Sequence, residues 1–585
     1  MMALYYEPME WDSTVTVNEA LYQPFSSMDS LRLLTLEPGY LTDPILVRLS
    51  IHDADDAPEY DAISYVWGDV GKTTQIFCNG SPTHITFNLL WVLRRIRRSE
   101  QPMTLWVDAL CINQNDPLER SGQVAKMGRI YARARRVFAC MGDDPDGGAS
   151  GVTSLLGQLL AMIQSIGSKS LVNLNLNEDP RWFSLGVLLR QPWFSRAWVL
   201  QEVGLAKDPR VIYGNFEFSY RDVMKIVMWV NNNAPWLIVK ANIPMLMIHV
   251  HWADWSTRII GDSASPYEFL DLLDHASLLM CRDPRDHIYA FLGHPLARTS
   301  DGRGLMILPD YTKSTWEVFK EVSILLIQQS GLRALSTAEH SESSIKDKFP
   351  SWVIRWDIGY VMNNICRHPM QIYRASAKDT TNMQYQIIGD ELWVTGVVVD
   401  TVRTAWKIEY GTDGTLKFRG HGYNLTLEEI ISYLESTSTP CVYGSNRLYN
   451  FSLTLNASLD NSLKSGTLAA AFNAYRNWHA QPHLRPIYKD ELAHTYWRAI
   501  CHMCSGRVFI VTEKGYYGLA PWVSAPGDVS CFLFGGLVPF LLRREDAHAS
   551  RFKLVGEAYI GGLMNSEASH FVNAGQLKAQ NLIIC

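Results

Sequence analysis

The run YDAISYVWGD, Tyr60 to Asp69, reads as a β-strand buried on both faces. Ala62, Ile63, Tyr65, Val66 and Trp67 form a near-continuous apolar series where a half-solvated strand would alternate, and Gly68-Asp69 ends it. Two similar runs follow, Leu105 to Asp108 (LWVD) and Arg136 to Met141 (RVFACM). Helical patterns separate them. Asn88 to Arg98 turns Leu89, Leu90, Leu93 and Ile96 inward and Arg94, Arg95, Arg97 and Arg98 largely outward, a solvated face rather than a phosphate surface. Glu119 to Ala134 sets Val124, Met127, Tyr131 and Ala134 on one face, with Gly128 permitting close approach. Strand, helix, strand, helix, strand predicts a parallel sheet with crossover helices. Upstream, Ser30 to Ser50 reads as two strands turning at Pro38-Gly39, and Thr74 to Phe87 as a hairpin turning at Asn79-Gly80. The intervening GDVGKTT is no phosphate loop, because only two residues separate its glycines and no helix follows the Lys-Thr.

The chain has 585 residues, which predicts two to four domains, and its 47% hydrophobic and 19% charged content is that of a globular protein. A net charge of -6 makes no electrostatic case for nucleic acid or an anionic membrane. No apolar run reaches the ~20 residues of a membrane helix. The acidic, aromatic start MMALYYEPMEWDS has no signal-peptide pattern. Ten cysteines are scattered, and only Cys501 and Cys504 form a CxxC pair, with no second pair to complete a zinc site. The expected compartment is the reducing cytoplasm.

After a long insertion, Gly142 to Asp179, comes Arg190 to Val203, RQPWFSRAWVLQEV, which reads as one buried helix. Glu202 stands four residues after Trp198, so an acid shares a face with an aromatic ring. Burial raises the cost of such a charge and shifts its pKa, which makes Glu202 a candidate catalytic acid. The bland alternative is a structural pair with Arg190 or Arg196. Asp108, at a strand's C-terminal end, lies where open α/β sheets bind ligands; the alternative is a loop cap. Cys111 reads as core, and there is no G-x-S-x-G of a serine hydrolase.

Three blocks, YDAISYVWGD (60–69), LWVDALCINQND (105–116) and RQPWFSRAWVLQEV (190–203), resemble the signature blocks of the fungal heterokaryon incompatibility (HET) domain. The resemblance covers roughly residues 30–214. Later segments, including DPRDHIYAFLG (283–293) and PDYTKSTWEVF (309–319), look like those flanking HET domains in long family members. It implies a role in nonself recognition and programmed cell death, with an incompatibility partner protein. HET domains in turn resemble Toll/interleukin-1 receptor (TIR) domains, which implies a flavodoxin-like fold. Trp198, Leu200 and Glu202 are similar to the helix motif bearing the catalytic glutamate of TIR enzymes that cleave NAD⁺. By that likeness Glu202 is the acid of an NAD⁺ glycohydrolase and Trp67 lines the pocket. Tyr65, Asp108 and Trp198 join Trp67 as substrate-binding candidates. NAD⁺ is then substrate; no cofactor or metal is expected. TIR-like sites are often completed by neighbouring copies, which implies a homo-oligomer. Trp67 stands where many TIR domains carry a basic residue, and the 142–189 insertion is longer than theirs. The competing reading is a non-enzymatic, self-associating interaction module.

The expected organisation is a lead-in (1–29), an α/β HET domain with a flavodoxin/TIR-like parallel sheet (30–214), a mostly helical region (215–335), a linker or loop (336–349) and a mixed, β-rich C-terminal region (350–585). Ser265-Pro266-Tyr267-Glu268 and Ser314 to Glu317 read as helix starts. His249 and His251 bracket a valine as on one strand face, core or surface residues rather than metal ligands. YQIIGDELWVTGVVVDTV turns at Gly389-Asp390 as a hairpin, and strands are expected near 507–511, 516–519, 529–533 and 554–559.

Overall fold

The structure is a computed structural model. It describes residues 21–27, 29–166, 178–234, 236–245, 248, 250–251, 268–299, 301–302, 304–358, 364–366, 373–375, 385–411, 414–420, 424–436, 441–458, 465–483, 487–545 and 550–585. Most of the lead-in, His249 and Ser265–Tyr267 lie outside these residues. The chain divides into two compact units, Met1–Ser314 and Thr315–Cys585.

The first unit is built on nine strands: β1 (Ser30–Leu36), β2 (Leu46–Asp53), β3 (Asp61–Tyr65), β4 (Thr73–Cys78), β5 (Ser81–Thr86), β6 (Met103–Trp106), β7 (Val137–Gly142), β8 (Pro209–Tyr213) and β9 (Phe216–Ser219). Their order in the sheet is β5-β4-β2-β1-β6-β3-β7-β8-β9. The sheet is mixed. Its centre, β6-β3-β7-β8, is parallel, with Ala62 opposite Trp106 on one side and Val137 on the other. The flanks β1–β2, β1–β6, β4–β5 and β8–β9 are antiparallel. All five residues of β3 are buried, as their apolar run requires of a central strand. Read in chain order, the parallel strands run second, first, third, fourth. That order reverses beside the first strand, so the crevice outside the carboxyl ends of β3 and its neighbours is the place for a site.

Helices α1 (Phe87–Ile96), α2 (Asp108–Cys111), α3 (Pro117–Arg133), α4 (Gly148–Ile166), α5 (Arg181–Leu189) and α6 (Trp198–Gly204) connect the strands. Asp116 caps α3 by accepting from Leu118 N and Glu119 N, and Pro117 takes the first helical position. At the hairpin, Asn79 and Gly80 both adopt positive φ, 51° and 78°, the backbone a two-residue β4–β5 turn demands. The single helix expected over 190–203 is not formed: α5 ends at Leu189, Pro192–Ser195 forms a 3-10 turn, and α6 starts at Trp198. Pro192 has no N–H to continue a helix and opens the turn instead. Downstream lie α7 (Tyr220–Asn233), α8 (Trp236–Lys240) and helical turns at Phe269–Ala276 and Asp286–Tyr289. His251 is helical rather than in a strand, and its ring bonds the Tyr220 hydroxyl and the Phe194 carbonyl, a satisfied core histidine.

The second unit opens with the helix Thr315–Ser330. Residues of the 336–349 stretch pack within it: Ile345 joins the hydrophobic core, and Lys553 Nζ donates to its carbonyl. The remaining strands are β10 (Tyr385–Ile388), β11 (Glu391–Tyr410), β12 (Leu416–Arg419), β13 (Asn424–Thr426), β14 (Arg507–Thr512), β15 (Tyr517–Pro521), β16 (Val529–Leu533), β17 (Phe540–Arg544), β18 (Arg551–Glu557), β19 (Tyr559–Ile560) and β20 (Gln580–Ile584). β16, β17, β18, β20 and β11 pair in sequence, and β11 pairs back to β16, closing a ring. β11 is 20 residues long and shifts register at Val398/Asp400 and Val402/Thr404. Such irregularities bend a strand, which lets one strand serve the ring and then continue to β14 and β12. Val399, Phe532, Leu541 and Val555 fill the core. Beside it Arg507 and Glu557, both wholly buried, pair at 2.9 Å.

Candidate functional site

Glu202 is 1% exposed on α6 and is held from two sides. The Ser64 hydroxyl, from the middle of β3, donates to Glu202 Oε2. The Ser64 oxygen accepts in turn from Trp193 Nε1 at 2.8 Å. The Arg196 guanidinium donates to Glu202 Oε2 at 3.3 Å and Oε1 at 3.4 Å, and its side chain is 18% exposed. Thus indole, hydroxyl, carboxylate and guanidinium form one chain of bonds at the sheet surface. A buried carboxylate needs that many donors, because an unpaired charge there costs several kcal/mol (~3–5). Arg196, not Arg190, is the partner: Arg190 donates to the Ala241 and Asn242 carbonyls.

Trp67 and Asp108 meet across the ends of two adjacent parallel strands. Trp67 follows β3, Asp108 follows β6, and Trp67 Nε1 donates to Asp108 Oδ2 at 2.8 Å. Asp108 Oδ1 also accepts from Ala109 N at 2.7 Å, within the first turn of the short α2. Burial pushes the Asp108 carboxyl up to about 6; the Glu202 charge adds to this, while Arg196 and the Trp67 N–H oppose it. Burial also drives the Tyr65 hydroxyl well above its ordinary range, with Asp108 and Glu202 adding to the effect. Tyr65, Asp108, Arg196 and Glu202 therefore share one electrostatic neighbourhood, with two acids, one guanidinium and two phenols if Tyr131 is included.

Trp198 is the expected wall residue that does not join this group. Its Nε1 donates to Asp286 Oδ2 at 3.1 Å, whereas Trp67 donates to Asp108. Sequence reasoning missed Ser64 and Asp286. A lone serine inside the apolar run of β3 was the available signal for Ser64. Asp286 lies 84 positions beyond Glu202, inside the family-like segment 283–293, which marked the stretch but not its contact with Trp198. Cys111 is buried, its thiol pushed up to about 12 by burial, and behaves as core. The chain's ten cysteines are free thiols. Among the described residues no three His, Cys, Asp or Glu side chains gather as a metal-ligand set, and no helix is long and apolar enough to cross a membrane.

An α/β unit with an acid-bearing helix packed on the first parallel strand is the class that this geometry defines. Residues 60–202 match the family model described as heterokaryon incompatibility protein (HET), and residues 457–574 match the Het-6 beta-barrel domain. The chain thus carries a HET domain within its first unit. It is 24% identical to heterokaryon incompatibility protein 6, OR allele, of Neurospora crassa, over 92% of this chain and 94% of that one. No solved structure matches. The HET match ends on Glu202, and the barrel match leaves out β11 and β20, two members of the closed ring.

Proposed function

We propose that this chain acts in heterokaryon incompatibility, and that its HET domain cleaves the nicotinamide–ribose bond of NAD⁺ with Glu202 as the acid. The family match and the full-length likeness to an incompatibility protein support the role. One observation carries the chemistry: Glu202 is a carboxylate bonded to a guanidinium and a hydroxyl at the surface of the parallel core. Nicotinamide leaves as a neutral ring, the ribose passes through an oxocarbenium-like state, and water adds at the same carbon and releases one proton to solvent. An ionised carboxylate stabilises that positive charge or orients the ribose hydroxyls. Arg196, the more exposed partner, must move off Glu202 to admit the ribose. Trp67 offers a ring for stacking, and Asp108 and Tyr65 offer polar contacts from the strand ends.

The same pair favours a second reading. Glu202 is satisfied by Ser64 and Arg196 as it stands, which suits a non-enzymatic, self-associating module whose output is assembly. The test is NAD⁺ consumption by the full chain beside Glu202→Gln, at several protein concentrations. Activity that rises per subunit with concentration and disappears in a folded Glu202→Gln variant supports the enzyme. Equal turnover in both places the chemistry elsewhere. No turnover in either, even when oligomerised, favours the module.

A further inference from the structure

We infer that Met280–Tyr311 is a latch that sets the position of the Glu202 helix, with Asp286 as its positioning residue. α6 has only seven residues, too few to hold a helix without packing partners. Glu202 anchors the helix toward β3. The latch, which lies beyond the HET-matched residues, holds the neighbouring positions of the helix. Met280 N donates to the Ser195 carbonyl at 2.6 Å, and Ala197 N donates to the Met280 carbonyl at 3.1 Å, laying the latch parallel to the entry into α6. One residue on, Trp198 Nε1 donates to Asp286 Oδ2. The next turn is closed by Gly293 N donating to Gln201 Oε1 at 2.7 Å. Residues 197, 198 and 201 are thus held by the latch, and Glu202 by Ser64 and Arg196.

The latch is itself anchored to α3. Arg120 reaches Asp283 at 3.3 Å and lies 3.4 Å over the Tyr311 ring, and Tyr311 N donates to Ser121 Oγ. The Tyr311 hydroxyl donates to Asp286 Oδ1 at 2.6 Å. Asp286 therefore joins a donor on α6 to a donor anchored on α3. No other carboxylate described above links these two elements through paired aromatic donors. Its effect on where Glu202 sits stands without the NAD⁺ reading; its effect on turnover rests on that reading.

The test uses the full chain. Amide hydrogen exchange is followed by mass spectrometry in Asp286→Ala, Asp286→Asn and Trp198→Phe. Loss of a buried hydrogen bond predicts about tenfold faster exchange over residues 198–204 in Asp286→Ala and Trp198→Phe, with β7 and β8 unchanged. Asp286→Asn keeps an acceptor oxygen and restores most of the protection. Where turnover is measurable, kcat falls with KM little changed, as expected for a misplaced acid. Unchanged exchange over α6 in Asp286→Ala or Trp198→Phe overturns the latch, as does failure of the Asn variant to restore protection. If Asp286→Ala loses protection throughout, the Trp198→Phe variant decides. Absent turnover in the wild-type chain counts against the NAD⁺ reading alone, since the exchange measurement still tests the latch.

Discussion

Glu202 and Arg196 are a pair whose members cannot be removed independently. Glu202→Ala leaves a guanidinium in a largely desolvated place and takes the acceptor from the Ser64 hydroxyl. We expect it to lower the unfolding free energy by roughly 3 kcal/mol, and Ser64→Ala by roughly 1 kcal/mol, read from urea titrations. A loss of function in Glu202→Ala is therefore ambiguous, and the isosteric Glu202→Gln is the better probe. Asp108 and Asp286 give a pH signature. Burial raises Asp108 to about 6 and Asp286 to about 7, Asp286 facing Asp283, Arg120, Tyr311 and Trp198. Each folded pKa lies above the unfolded value, so the stability each contributes is full below about pH 4 and declines as pH rises through the folded pKa. Asp108→Asn should therefore gain on the wild type between about pH 4 and 6 and then hold level. A stability difference that is flat across that range would remove the case for a desolvated Asp108.

At the scale of elements, α3, α6 and the loop after Tyr289 meet without room for a side chain. A Cβ on Gly128 would come within 2.6 Å of Gly293 Cα, and one on Gly293 within 2.8 Å of Gly128 Cα. Backbone is on both sides, so neither can yield alone. Gly128→Ala should cost about 1–3 kcal/mol, measured by denaturant unfolding, and should loosen α6 with it. The sequence shows Gly128 on the apolar face of α3, which marks a close approach. It does not say to what, because Gly293 lies 165 positions away. The 190–203 segment shows the same limit: its composition is that of a buried helix, yet Pro192 splits it, and the break turns Arg196 back onto Glu202.

At the scale of the molecule, the second unit depends on ring closure. β20 pairs with β11 on one side and β18 on the other. Deleting residues 580–585 should open the ring and expose two strand edges. Exchange should then accelerate along β11, β16, β17 and β18, with β3 and β7 of the first unit as internal controls; unchanged protection there would show that the ring does not need β20. The wholly buried Arg507–Glu557 pair beside the core was invisible in the sequence, where the two stand 50 positions apart. Local patterning by itself determined the buried parallel strands, the Asn79-Gly80 hairpin and the amphipathic helices α1 and α3. Each of these depends on residues near in the chain, through apolar periodicity and turn chemistry. Tertiary structure alone decided the β1–β6 and β2–β4 pairings, the β11–β16 closure, and the partners of Glu202, Trp198 and Asp108. Those partners are set by which donors reach a desolvated carboxylate, and burial creates that demand only once distant segments have packed.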